Sequence, residues 1–139
     1  MVTNSARETQ KLGEKISADL KPGSILALYG ELGSGKTTFI QGLARGLGIK
    51  KRIISPTFVF IRQYPITSHW LPVTLYHIDL YRIEKANDIR DLGLKEIFSD
   101  PQAIIVIEWA DRIKEVLPKK RMDIYFGYRG ENKRKIEII

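Results

Sequence analysis

Residues Gly30-Glu31-Leu32-Gly33-Ser34-Gly35-Lys36-Thr37-Thr38 stand between an apolar run and a segment of helical periodicity, and no other stretch constrains the fold as much. They fit G-x-x-x-x-G-K-[ST], the P-loop pattern. Ser24-Ile25-Leu26-Ala27-Leu28-Tyr29 reads as a buried strand entering the loop. Thr38 to Leu47 reads as a helix leaving it, with Ile40, Leu43, Ala44 and Leu47 on one face. Small residues let the backbone curl until successive N–H groups converge as an anion nest, and the following helix adds the positive end of its dipole. On this reading Lys36 reaches the outer phosphates of ATP or GTP, and the Thr37 hydroxyl ligates Mg²⁺. The alternative is a glycine-rich turn that binds nothing. The agreement of strand, loop and helix weighs against it.

Composition narrows the class. The chain has 139 residues, 43% apolar and 28% charged, as expected of one ordinary globular domain spanning residues 1–139. It has no cysteine, which excludes disulfides, cysteine-based zinc sites and thiol catalysis. No apolar run approaches the ~20 residues of a membrane span and the N-terminus lacks a signal-peptide pattern, so no membrane association and a cytoplasmic location are expected. The net charge is +7, with basic runs at Lys50-Lys51-Arg52, Lys119-Lys120-Arg121 and Lys133-Arg134-Lys135. Such runs suit nucleic acid or an acidic partner, or simply a solvated face.

The remaining chain reads as follows. Ser5-Ala6-Arg7-Glu8 has capping-box spacing and opens a first helix with Leu12, Ile16 and Leu20 on one stripe, ended by Lys21-Pro22-Gly23. Gly48 is a candidate C′ residue for the helix after the P-loop. Val59 to Tyr64 and Val73 to Ile78 read as strands of an antiparallel hairpin, with Pro65 to Pro72 as its loop. Residues 83 to 99 read as two short helices broken at Gly93, with Ile89, Leu92, Ile97 and Phe98 inward. Ala103 to Ile107 is a continuous β-branched run, the signature of a buried parallel strand. Asp111 to Leu117 reads as a short helix, and Met122–Tyr128 with Lys133–Ile139 as a closing hairpin about Gly130.

A P-loop enzyme needs an acid opposite the loop to hold Mg²⁺, directly or through water. Glu108 ends Ile104-Ile105-Val106-Ile107, four apolar residues then an acid, the form of a Walker B strand. Asp79 ends the other candidate strand, and its alternative role is as a structural partner of Arg82 or of a turn N–H. Thr57 lies in the Pro-stiffened Ser55-Pro56-Thr57-Phe58 segment, where switch-type proteins order a loop on the γ-phosphate; a plain turn is the other reading. Trp109 reads as a core or interface aromatic, His77 as a satisfied strand histidine more readily than a base, and Arg82 as a phosphate ligand or an ion-pair partner.

Taken together, Gly30 to Phe39, Gln41-Gly42-Leu43-Ala44, Ser55-Pro56-Thr57-Phe58, His77-Ile78-Asp79-Leu80-Tyr81-Arg82 and Glu108-Trp109 resemble the TsaE family, formerly called YjeE. The motifs occur in the family's order and span almost the whole chain. Glu31, Ser34 and Ala110-Asp111 depart from the family's usual Asp, Ala and Pro-Glu. The resemblance implies a Mg²⁺-dependent ATPase of the bacterial pathway that installs threonylcarbamoyladenosine on tRNA beside the anticodon. It implies TsaD and TsaB as partners, with tRNA met through their complex. By match, Glu31 to Thr38 with Thr57 and Trp109 surround the nucleotide, Lys36, Asp79 and Glu108 take catalytic roles, and Thr37 and Glu108 hold the metal.

The expected fold is α/β of P-loop type, a mainly parallel sheet with an antiparallel portion and helices on both faces. Two rival functions are a small-molecule P-loop kinase and a nucleotide-gated RNA-binding module. The first would need a lid of arginines after the P-loop helix, and no compact run of them occurs there. The second has no recognised RNA-binding signature.

Overall fold

The computed structural model describes residues 1–53, 61–66, 72–83 and 92–139. Its strands form one seven-stranded sheet in the order β1-β7-β6-β2-β5-β4-β3. These strands are β1 (Val2–Thr3), β2 (Ile25–Tyr29), β3 (Ile61–Ile66), β4 (Val73–Asp79), β5 (Ala103–Glu108), β6 (Met122–Tyr128) and β7 (Arg134–Ile138). The four central strands β6, β2, β5 and β4 are mutually parallel, and the outer pairs are antiparallel. Both faces are covered. One carries α1 (Ala6–Ser17) and α2 (Lys36–Gly46), the other α3 (Leu94–Phe98) and a short 3₁₀ helix, Ala110–Ile113.

This two-sided cover is why β2 and β5 read as unbroken apolar runs. Along β2, Leu26 and Leu28 face Phe39, Ile40 and Leu43, while Ile25 and Ala27 face the opposite layer with Ala110, Ile113 and Leu117. Full burial of each large aliphatic side chain stabilises the fold by roughly 1.5–3 kcal/mol before packing is counted.

The helix signals act as their chemistry predicts. Ser5 Oγ accepts from Glu8 N at 3.1 Å, and the Glu8 carboxylate reaches back to Asn4 N rather than to Ser5 N. Gly48 has φ 82°, its N–H donates to Arg45 O, and Ile49 N donates to Ala44 O, the paired bonds of a Schellman end.

Three expectations are corrected. A strand, not a helix, comes first: β1 pairs with β7 at the far end of the chain, and two residues carry no periodicity to read. Pro65 belongs to β3, not to a loop, because β3 is an edge strand and an edge tolerates a residue without an N–H. Asp111 to Leu117 is not one helix; the 3₁₀ turn begins at Ala110 and ordinary turns follow it to Leu117. As expected, Leu92, Ile97 and Phe98 pack against the core, partly covered, and Leu94 beside Gly93 is buried deeper still. Ile89 and the first of the two short helices lie outside the described residues, as do Val59 and the whole of Ser55 to Phe58. Among the described residues no helix is long and apolar enough to cross a membrane.

Candidate active site

β2, β4 and β5 are parallel neighbours, so their C-terminal ends share one edge of the sheet, where open α/β folds form their ligand crevices. The loop after β2 leads into α2 through Gly35, whose φ of 104° is open to glycine at no Cβ penalty. No side chain caps α2 and its first turn holds no acid. The free N–H groups and the positive end of the helix dipole are therefore left for an anion.

Lys36 folds back over this loop. Its Nζ donates to Gly30 O and, at 2.9 Å, to Glu31 O, lies 3.4 Å from Ser34 Oγ, and stands 4.3 Å from the centre of the Trp109 ring. Burial pushes its pKa down, against the opposing pull of Glu108, Asp79, Asp111 and Glu31. Trp109 has φ 59°, the only positive value at a non-glycine among the described residues. That conformation costs roughly 1–3 kcal/mol. It turns the chain sharply out of β5 and leaves the ring against Lys36 and 5.2 Å from the Tyr81 ring.

The acids meet across the same edge. Asp79 and Glu108 are register partners on adjacent strands. Thr37 Oγ1 donates to Glu108 Oε1 at 3.1 Å, and Glu108 Oε2 lies 2.6 Å from His77 Nε2. Glu108 is 3% exposed and His77 fully buried. Asp79 Oδ1 accepts from Tyr81 N at 3.0 Å, so it does have the turn N–H left open by the sequence.

Except for the buried His77, these side chains border one cavity of about 380 Å³. Of the residues expected from the sequence, Leu32, Gly33, Gly35, Lys36, Thr37, Thr38, Asp79, Glu108 and Trp109 line it, and so does Arg82. Glu31 and Ser34 are not in its wall: Glu31 offers its carbonyl to Lys36, and Ser34 is buried beneath the loop. Thr57 lies outside the described residues. The wall also includes Ala6 and Thr9 of α1, Tyr81, Asn132 and Arg134, none of which the sequence marked as a site residue. Arg134 Nη2 donates to Gly33 O at 3.2 Å, and its guanidinium lies over the Tyr128 ring. Its one trace in the sequence is the basic run Lys133 to Lys135, which by itself says only that charge is exposed.

The Thr37 hydroxyl and Glu108 carboxylate, with Asp79 in the same wall, are hard oxygen donors. They fit Mg²⁺, which favours one or two carboxylates plus substrate phosphates over a closed protein cage. Among the described residues no cluster of three or more His, Cys, Asp or Glu suited to a metal occurs.

Comparison with known proteins places the chain by family and fold. The family described as "Threonylcarbamoyl adenosine biosynthesis protein TsaE" matches residues 3–136. A tRNA threonylcarbamoyladenosine biosynthesis protein TsaE from Bacillus subtilis is 42% identical over 134 residues, 96% of this chain and 80% of the relative. Another from Treponema pallidum is 36% identical over 137 residues, 99% of this chain and 97% of the relative. A crystal structure of Bacillus subtilis YdiB superimposes with a TM-score of 0.78 at 38% identity, covering 98% of this chain and 80% of that one.

Proposed function

Because the chain belongs to the TsaE family of tRNA threonylcarbamoyladenosine biosynthesis, we propose that it is the pathway's Mg²⁺-dependent ATPase and that its ATP cycle drives repeated turnover of a TsaD–TsaB transferase complex. The observation that carries this reading is the convergence on one cavity of Lys36, Thr37, Asp79, Glu108 and Trp109, which come from three separate segments of the chain.

In this reading the Gly30–Gly35 loop and the uncapped start of α2 receive the phosphates through backbone N–H groups. Lys36, already buried beside the loop, exchanges its carbonyl partners for phosphate oxygens. Thr37 and Glu108 hold Mg²⁺, which when bound offsets the negative charge on the outer phosphates. Asp79, at the same strand end as Glu108, orients the attacking water and receives its proton. Water attacks the γ-phosphorus, the bond to the β–γ bridging oxygen breaks, and ADP and inorganic phosphate leave. Trp109 and Arg134 border the bound nucleotide, and Thr57 meets the γ-phosphate from the segment before β3.

The decisive experiment measures phosphate release by the protein alone and with its cognate TsaD and TsaB. Strong stimulation is expected, and indifference to the pair would sink the coupling. Adding nucleosides or small alcohols should not raise ADP release above that in water; a rise would point to a kinase instead. Thr57→Ala should slow hydrolysis more than it weakens ATP binding, and collapse of binding would make Thr57 a nucleotide ligand rather than a γ-phosphate sensor.

A further inference from the structure

His77 is absent from the cavity wall, yet it makes the shortest polar contact to the site's acid. It follows Val73 and Leu75 along one side of β4, the side covered by α1 and α2. Alternation along the strand puts Asp79 on that side too, about 7 Å further on. Glu108, the register partner of Asp79, extends into the same layer. The result is a three-part chain, His77 Nε2 to Glu108 Oε2 and Glu108 Oε1 to Thr37 Oγ1, running from the core to the cavity.

The imidazole has no other use here. Its Nδ1 is buried without a hydrogen-bond partner, the only such side-chain atom among the described residues. A carboxylate oxygen only accepts, so facing ionised Glu108 the His77 Nε2 is the donor of this contact. A leucine in that position would bury as much apolar surface without stranding a nitrogen. What an imidazole adds is one rigid N–H aimed at Glu108. The two contacts to Glu108 also differ in kind. The Thr37 hydroxyl faces the cavity, where the reading above commits it to a metal, whereas the His77 contact is sealed from the cavity and from solvent.

We propose that His77 is a positioning residue: a fixed Nε2–H donor that pins one oxygen of Glu108 from inside the core, so that the other is held toward the divalent cation of a bound nucleotide. This rests on the nucleotide–Mg²⁺ reading of the cavity and goes beyond it, because it assigns a role to a side chain that touches neither ligand. Residues that orient a metal-binding side chain in this way typically change metal affinity by 10–100-fold when removed.

The test uses His77→Leu, which deletes the donor at similar volume, and His77→Gln, whose side-chain N–H₂ restores one. A fluorescent ATP analogue is titrated into wild type and both variants, first in EDTA and then over a Mg²⁺ series. Mn²⁺ uptake is followed in parallel by electron paramagnetic resonance. The expected result is unchanged binding in EDTA, a tenfold or larger rise in the Mg²⁺ concentration needed by His77→Leu, weaker Mn²⁺ binding, and substantial recovery in His77→Gln. Wild-type Mg²⁺ dependence in His77→Leu would overturn the proposal. So would equal loss in EDTA for both variants, which marks a merely structural histidine.

Glu108→Gln separates the two levels. If wild type shows a Mg²⁺ effect that Glu108→Gln abolishes and His77→Leu keeps, His77 alone is wrong. If wild type shows no Mg²⁺ effect, the metal reading fails first and the proposal with it. Should His77→Leu not fold, the wild-type protein still decides. With two histidines in the chain, the His77 ring nitrogens are assignable by NMR through a His69→Gln variant. A proton on Nε2 is expected, with its resonance shifted in Glu108→Gln, and a bare Nε2 would overturn the assignment.

Discussion

Lys36 carries more of the site than any other single residue. Its ammonium is drawn out of water, satisfied by the Gly30 and Glu31 carbonyls, and covered by an aromatic ring held in a strained backbone conformation. Lys36→Ala removes the cation and leaves those carbonyls without its N–H donors; Glu108→Ala removes the acceptor shared by Thr37 and His77. ATP turnover should fall to background in either, and wild-type-like phosphate release in either would dismiss the catalytic assignment. A second residue gives a prediction independent of nucleotide. Tyr29 OH donates to Asp123 Oδ1 at 2.9 Å, and Asp123 is paired with Arg121. Burial first, and the Asp123 bond second, push the Tyr29 pKa up to about 12. An unfolded tyrosine ionises near ~10. Between these values the unfolded chain gives up the proton while the folded one keeps it. This contribution is therefore intact below pH ~10 and is lost as pH rises toward about 12. Urea melts at pH 9 and pH 11.5 should show a smaller alkaline loss of stability in Tyr29→Phe than in wild type. An equal loss would show that Tyr29 is not the group responsible.

At the scale of elements, the position of α2 depends on how closely α1 approaches it. A Cβ at Gly42 would run into Gln10 O, and one at Gly13 into Phe39 O, both backbone atoms that cannot swing aside. Glycine to alanine inside an exposed helix ordinarily stabilises by about 1 kcal/mol. Here overpacking should win, by roughly 1–3 kcal/mol. Gly42→Ala should therefore lower Tm by several degrees, and an unchanged or raised Tm in a thermal melt would refute the close packing. The same scale shows where sequence patterns reach their limit. The Schellman end at Gly48 and the cap at Ser5 were legible because capping is a matter of neighbours within a few residues. β1 was not legible, because its partner Lys135 lies at the other end of the chain and Val2–Thr3 has no period of its own. Pro65 read as a loop because its strand status depends on β3 being an edge, which only the assembled sheet defines.

At the scale of the whole molecule, the cavity closes only when the last hairpin folds back on the first loop. β6 sits beside β2, which brings Tyr128 OH within 3.3 Å of Leu32 O and Arg134 onto Gly33 O. Arg134→Ala should weaken ATP binding about tenfold or more, the scale of a lost charge-assisted contact, while leaving the melt near wild type. Unaltered affinity by calorimetry would remove Arg134 from the nucleotide site. Sequence alone determined the local features: a strand, a glycine-rich loop and a helix about Gly30 to Thr38, an acid after a buried apolar run, and the motif set that resembles TsaE. Those features are written within a few residues of one another, where spacing translates directly into geometry. Tertiary structure alone decided that Glu108 is the acid bonded to Thr37, that Asp79 stands beside it, that His77 grips it from the core, and that Arg134 faces the loop. The reason is physical. Parallel strands bring together residues far apart in the chain through sheet order and register, and neither quantity is encoded in any local pattern.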